Sequence, residues 1–187
     1  MTLGVALALA GAAIAMVVAA IGSTAGVVRI GSASNALLSK EPKHFSKLLI
    51  LMLLPSSQSI YALTVAFMMF VQLGILGGEP IPISTETGLA LLFLCLPVAI
   101  IGGISAYLQG KVGVTAVSLY NKQNKMFGNC ILIISASEVF ALFGFLISML
   151  GLLFLNIEPA YPPVADPDTL YAAYSCIQSG LRTLLAV

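Results

Sequence analysis

Four long apolar runs dominate this chain, at about residues 3 to 28, 46 to 76, 87 to 110 and 127 to 157, each long enough to cross roughly 30 Å of hydrocarbon as a helix. Such a chain has to use the bilayer as its solvent. Inside lipid every backbone N–H and C=O must be satisfied within the protein, which a helix does on its own. Composition agrees, since 59% of the residues are hydrophobic and 8% are charged, too little polar surface to coat a water-soluble domain. The first run has no basic segment before it and is too long for a signal-peptide core, so it is expected to stay in the mature protein. The expected fold class is an all-α membrane protein of four transmembrane helices.

The charges are few but sorted. Arg29, Lys40, Lys43 and Lys47 flank the first loop, and Lys111, Lys122 and Lys125 flank the third, whereas Glu79, Glu86, Glu158, Asp166 and Asp168 gather at the opposite ends. Basic residues near short loops stay in the cytoplasm, so both termini are expected on the non-cytoplasmic side of the cell membrane. The basic loops are too dilute for a nucleic-acid surface. Neither a phosphate-binding loop nor a nucleophile motif occurs, His44 is the single histidine, and Cys95, Cys130 and Cys176 lack metal-ligand spacing. Enzymatic chemistry on a soluble substrate is therefore not expected.

Spans one and two form one hairpin and spans three and four a second, each with its loop on the basic side. A weak repeat links them: Gly4-Val5-Ala6-Leu7 resembles Gly88-Leu89-Ala90-Leu91, Gly26 matches Gly110, and Ile60-Tyr61-Ala62-Leu63 matches Val139-Phe140-Ala141-Leu142. The expected units are 1–77, 86–157 with the working carboxylate, and a 158–187 extension. Gly4, Gly11, Gly22, Gly26 and Gly31 along the first span suit close backbone approach in lipid, and hence an inner, crowded position.

Glu138 is the one carboxylate inside a span, where a charge costs several kcal/mol unless it pairs, protonates or binds a cation. On the second span Leu54, Ser57, Gln58 and Tyr61 follow an i, i+3, i+4, i+7 spacing and share one face. Gln109 on the third span adds an amide whose oxygen can accept a hydrogen bond or a hard cation. Depth connects them. Gln58 lies thirteen residues beyond Phe45, Gln109 thirteen before Lys122 and Glu138 thirteen beyond Lys125, so each is expected roughly 20 Å in from the loops. This requires the third helix to run past Lys111 to about residue 121, with Arg29 and Lys111 in a cytoplasmic extension or snorkelling towards it. Pro55 lacks an N–H and is expected to free the Leu51 carbonyl and perturb the turn. In the repeat, Ser59 stands where Glu138 stands, so one ion per chain is expected.

These segments, Leu54-Pro55-Ser56-Ser57-Gln58-Ser59-Ile60-Tyr61, Tyr107-Leu108-Gln109-Gly110-Lys111 and Ser137-Glu138-Val139-Phe140, resemble the duplicated proteolipid subunit of bacterial and archaeal V/A-type ATPases, particularly the sodium-transporting kind. The resemblance covers about residues 1 to 157. It implies a ring of identical subunits in the lipid bilayer, a stator membrane subunit with an essential arginine, and a central stalk on the cytoplasmic loops. ATP hydrolysis would then occur in other subunits. It further implies that Na+ is held by Glu138, Gln58, Gln109, Ser57 and the Leu54 carbonyl, with Tyr61 steadying the carboxylate. Ser57 stands where the sodium-type pattern usually has threonine, which keeps the oxygen and loses a methyl.

A proton site needs little beyond a carboxylate, so the oxygens of Ser57, Gln58 and Gln109 favour Na+ over H+ as the ion carried. The alternatives are a proton-carrying ring and a secondary transporter or channel built from duplicated hairpins. In the extension, Asp166-Pro167 resembles a helix start, and Leu170, Tyr171, Tyr174, Ile177, Leu181, Leu184 and Leu185 would make one apolar face of an interfacial or ring-plugging helix.

Overall fold

A computed structural model gives the fold of residues 2–78, 80–155, 157, 159 and 178. The first span is α1 (Leu3–Leu38). The second is built from α2 (Phe45–Leu53), a 3-10 turn (Leu54–Ser56) and α3 (Ser57–Gln72). The third is α4 (Thr85–Lys122), and the fourth joins α5 (Phe127–Ser135) to α6 (Glu138–Phe154). All four are long and apolar enough to cross a membrane, and the protein is a multi-pass membrane protein of two tandem hairpins. The helix expected in the 158–187 extension, and Cys176, lie outside the described residues.

Helix ends follow from local chemistry. Thr2 Oγ1 accepts from the Val5 amide at the start of α1, and Ser84 Oγ accepts from the Thr87 amide at the start of α4. Such hydroxyls satisfy donors that the first turn cannot. Thr2 also donates to the Ile83 carbonyl at 3.1 Å, tying the starts of α1 and α4 together. Between the hairpins Gly74 adopts φ 69°, a left-handed conformation that glycine reaches without a Cβ clash.

Both α1 and α4 run about ten residues beyond the apolar stretches that mark their membrane spans. Apolarity reports the thickness of the hydrocarbon, whereas a helix continues wherever its backbone bonds and packing persist. Here Ile30, Leu37, Leu48, Leu51, Val117 and Tyr120 form an apolar cluster that holds the extensions together. The expected continuation of the third helix is thus observed. Arg29 and Lys111 meet along these helices: the Arg29 guanidinium lies 3.9 Å from the centroid of the Tyr107 ring, and Lys111 Nζ lies 5.1 Å from it. Tyr107 precedes Gln109 by two residues, roughly 200° around the helix, so the basic pair occupies the opposite face from the amide.

At the loop end, Glu41 accepts from Lys43 Nζ at 3.0 Å and from His44 Nε2 at 2.9 Å. The Lys43 ammonium, with help from His44, holds the Glu41 carboxyl below its usual range. His44 Nδ1 lies 2.7 Å from Tyr120 Oη, an arrangement satisfied when Nε2 carries the ring proton. The first loop is thereby fastened to the end of α4.

The centre of the fold is a seam of small residues between α1 and α4. A Cβ on Gly22 would run into the backbone of Gly103, and one on Gly110 would run into Gly26. A Cβ on Gly26 would come within 2.6 Å of the Ala106 carbonyl oxygen and 2.8 Å of Pro55 Cβ. Gly26 therefore lets three spans meet at one level. Gly26→Ala should destabilise the detergent-solubilised protein by about 1–3 kcal/mol, read as a lowered melting temperature, because rigid backbone cannot yield. Gly31→Ala faces only the flexible Met52 thioether and should melt close to the parent protein.

Candidate ion-binding site

Two of the four spans are interrupted, and the interruptions frame the polar residues. The first follows from Pro55, which cannot donate to the helix and tightens residues 54–56 into a 3-10 turn. Ser56 Oγ donates to the Leu53 carbonyl, and Ser57 Oγ donates to the Leu54 carbonyl at 3.1 Å. The second, at Ala136–Ser137, has no proline and was not expected from the sequence. Ser137 donates there to the Ile134 carbonyl through its hydroxyl at 2.9 Å and through its amide at 3.4 Å. Serine hydroxyls that bond back to a preceding carbonyl compete with the helical ladder and bend it.

Glu138 opens α6 directly after this second break. Its Oε1 accepts from Tyr61 Oη at 2.7 Å, a phenol held by packing against Phe145. Gln58, one turn before Tyr61 on α3, is fully buried and donates from Nε2 to Gln109 Oε1 at 2.7 Å. Gln109, also fully buried, donates from its own Nε2 to the Ile134 carbonyl at 3.2 Å, one turn before Glu138. Ser57 Oγ lies 3.3 Å from Gln58 Oε1. Hydrogen bonds thus join Leu54, Ser57, Gln58 and Gln109 in one group and Tyr61 and Glu138 in another, and the Gln109–Ile134 contact brings the two close across three spans, at the single level that residue counting from the loops requires.

This layer is bounded by apolar packing. One cluster, including Ala15, Ala19, Ala62, Val98 and Ala99, lies on the side of the termini, and the cluster containing Ile30, Leu51 and Ile134 lies on the side of the loops. Among the described residues both ion pairs involve Glu41 in the first loop, so the neighbour that holds Glu138 is the Tyr61 hydroxyl rather than a base. Gln58 and Gln109 each use one oxygen lone pair in these contacts and keep a second, as carbonyl oxygens do. One carboxylate among neutral oxygens balances one positive charge. The arrangement suits a monovalent cation, since a divalent ion would leave net charge in a low-dielectric layer.

A family model described as the ATP synthase C subunit matches the chain twice, over residues 10–69 and 92–151, two stretches of equal length that fall one in each hairpin. The chain belongs to this ATP synthase family. It is also similar to V-type sodium ATPase subunit K of Enterococcus hirae, with 34% identity over 147 residues, 79% of this chain and 90% of that protein. Of the two matched stretches, the second carries Glu138 inside a span, whereas the acid of the first is Glu41 in the loop.

Sequence reasoning missed two contributors to the layer, the Ile134 carbonyl and Ser105. The hydroxyl of Ser105 donates to the Ser137 carbonyl at 2.7 Å. Its signal was present: Ser105 precedes Gln109 by one helical turn and shares its face. Cys95 and Cys130 are buried, and Cys130 Sγ only contacts the Ala116 carbonyl at 3.4 Å. Tyr61→Phe should leave assembly intact and make Glu138 react with a carbodiimide roughly fivefold faster, the factor for a lost hydrogen bond of about 1 kcal/mol. An unchanged rate would mean that Tyr61 does not restrain the carboxylate.

Proposed function

We propose that this protein is the rotor-ring subunit of a rotary V/A-type ATPase and carries Na+ across the membrane in step with ATP hydrolysis or synthesis elsewhere in the complex. The observation that carries this reading is the Tyr61–Glu138 hydrogen bond at 2.7 Å beside the Gln58–Gln109 pair at 2.7 Å, one acid among neutral oxygens at membrane depth. The sodium ATPase named as a relative supports the choice of ion. Glu138 supplies the charge, Gln58, Gln109 and Ser57 supply side-chain oxygens, and Leu54 supplies a backbone carbonyl at the proline-induced turn. Tyr61 keeps the carboxylate turned inward.

Physically, the ion is a charge-neutraliser. A carboxylate that has taken up Na+ forms a neutral, oxygen-satisfied site that can pass lipid, whereas a bare carboxylate is held back by desolvation. Rotation of a ring of identical subunits is thereby tied to occupancy. Release requires a competing positive charge, the role of an arginine on a stator subunit. Lys40, Lys43, Lys47, Lys122 and Lys125 gather at the loop end, which supports a cytoplasmic location for the loops, a stalk docked on them, and termini on the far side. The protein performs no covalent catalysis in this scheme, and the second hairpin, 86–157, carries the working acid.

In the purified complex, sodium at neutral pH should slow carbodiimide labelling of Glu138, and labelling that ignores sodium would overturn the choice of ion. Gln109→Leu should raise the sodium concentration that half-protects Glu138 by at least about tenfold, the factor for losing a charge-assisted contact near 1.5 kcal/mol. Glu138→Gln should retain an assembled ring, with neither labelling at this position nor ion transport.

A further inference from the structure

The break before Glu138 is held from outside its own helix. In an uninterrupted helix the Ile134 carbonyl would accept only from the Glu138 amide. Here it accepts from Ser137 Oγ, the Ser137 amide and, across the interface, Gln109 Nε2. On the other side of the break the Ser137 carbonyl accepts from Ser105 Oγ at 2.7 Å, the shortest of the hydrogen bonds between α4 and the fourth span among the described residues. Ser105 and Gln109 are four residues apart on α4, so one helix face grips the end of α5 and the start of α6 at a fixed separation of about 6 Å.

The two grips are not equivalent. Gln109 also belongs to the oxygen cluster, where its Oε1 accepts from Gln58 Nε2 at 2.7 Å. Ser105 touches none of Glu138, Gln58 or Tyr61 through a hydrogen bond, and it is buried at 6% exposure, where a hydroxyl without a partner is costly. Its contact is to the peptide oxygen immediately before Glu138, so it fixes the backbone from which the carboxylate projects. A third contact, from the Val98 amide to Ser148 Oγ at 3.1 Å, staples α4 to α6 ten residues beyond Glu138 and away from the break.

Resting on the ion-carrying reading above, we infer that Ser105 is a positioning residue for the ion site: by anchoring the Ser137 carbonyl it sets the direction of Glu138 towards Tyr61 and the amide oxygens, in the loaded and the unloaded state alike. It contributes no ligand. Its effect is on ion affinity through the geometry of the acid.

The test is sodium protection of Glu138 from carbodiimide in the purified complex carrying S105A, S105T or S148A. S105A should raise the half-protecting sodium concentration by about tenfold, the lower end of what a partner that orients a ligand contributes. S105T, which keeps the hydroxyl, should stay within about twofold of the parent protein, and so should S148A, which removes a staple of similar kind elsewhere. An S105A curve superimposable on the parent curve, or a shift in S148A equal to that in S105A, overturns the assignment. If S105A blocks ring assembly, S105C takes its place, being close in volume with a much weaker donor. If sodium does not protect the parent protein, the choice of ion fails by itself. The positioning role then stands on the sodium-free labelling rate, which S105A should raise several-fold and S105T should not; equal rates overturn it.

Discussion

A carboxylate at the depth of lipid has few stable states: it protonates, pairs with a base, or collects oxygen and hydroxyl partners around a cation. The polar layer of this fold is arranged around that constraint on Glu138. The hydroxyl of Tyr61 meets it from the second span. Two amides from neighbouring helices, fully buried and bonded to each other, join the layer, and one of them donates to the Ile134 carbonyl one helical turn before the acid. The surrounding apolar clusters seal the layer from above and below, which strengthens each polar contact and makes any unpaired group expensive.

Side chains alone do not make the layer; interrupted backbone contributes as well. A regular helix engages its carbonyls in its own ladder and leaves only a second lone pair of each to a neighbour. The breaks at Leu54–Ser56 and Ala136–Ser137 lie in the second and fourth spans beside the site, where the carbonyls of Leu54, Ile134 and Ser137 take hydroxyl and amide partners. Different chemistry produces each break, a proline in one and serine hydroxyls in the other. The unbroken α4 then acts as a spine, holding the interrupted fourth span through Ser105 and Gln109.

Close approach makes this geometry reachable. Gly22 meeting Gly103, and Gly26 meeting Gly110, Ala106 and Pro55, bring the first and third spans together without side chains between them. Burial of apolar area gives little drive for such contact in lipid, so van der Waals packing and interhelical hydrogen bonds carry it. Membership of an ATP synthase family whose pattern recurs once in each hairpin fits a chain in which one copy kept the acid while both kept the packing.

The number of spans, the pairing into hairpins and the identity of the polar residues were all legible in the sequence, because hydrophobic run length, basic loops and a lone acid at depth act locally. Counting from the loops also gave a common level for Gln58, Gln109 and Glu138, since helical rise is constant. Helix ends were less legible: α1 continues past its apolar stretch on tertiary packing that no local pattern records, whereas the continuation of α4 followed from the depth count. The break at Ala136–Ser137 and the grip of Ser105 were decided only by the assembled structure. A serine in a membrane helix can bond its own ladder or a neighbour's free carbonyl, and which one it meets depends on how the helices pack.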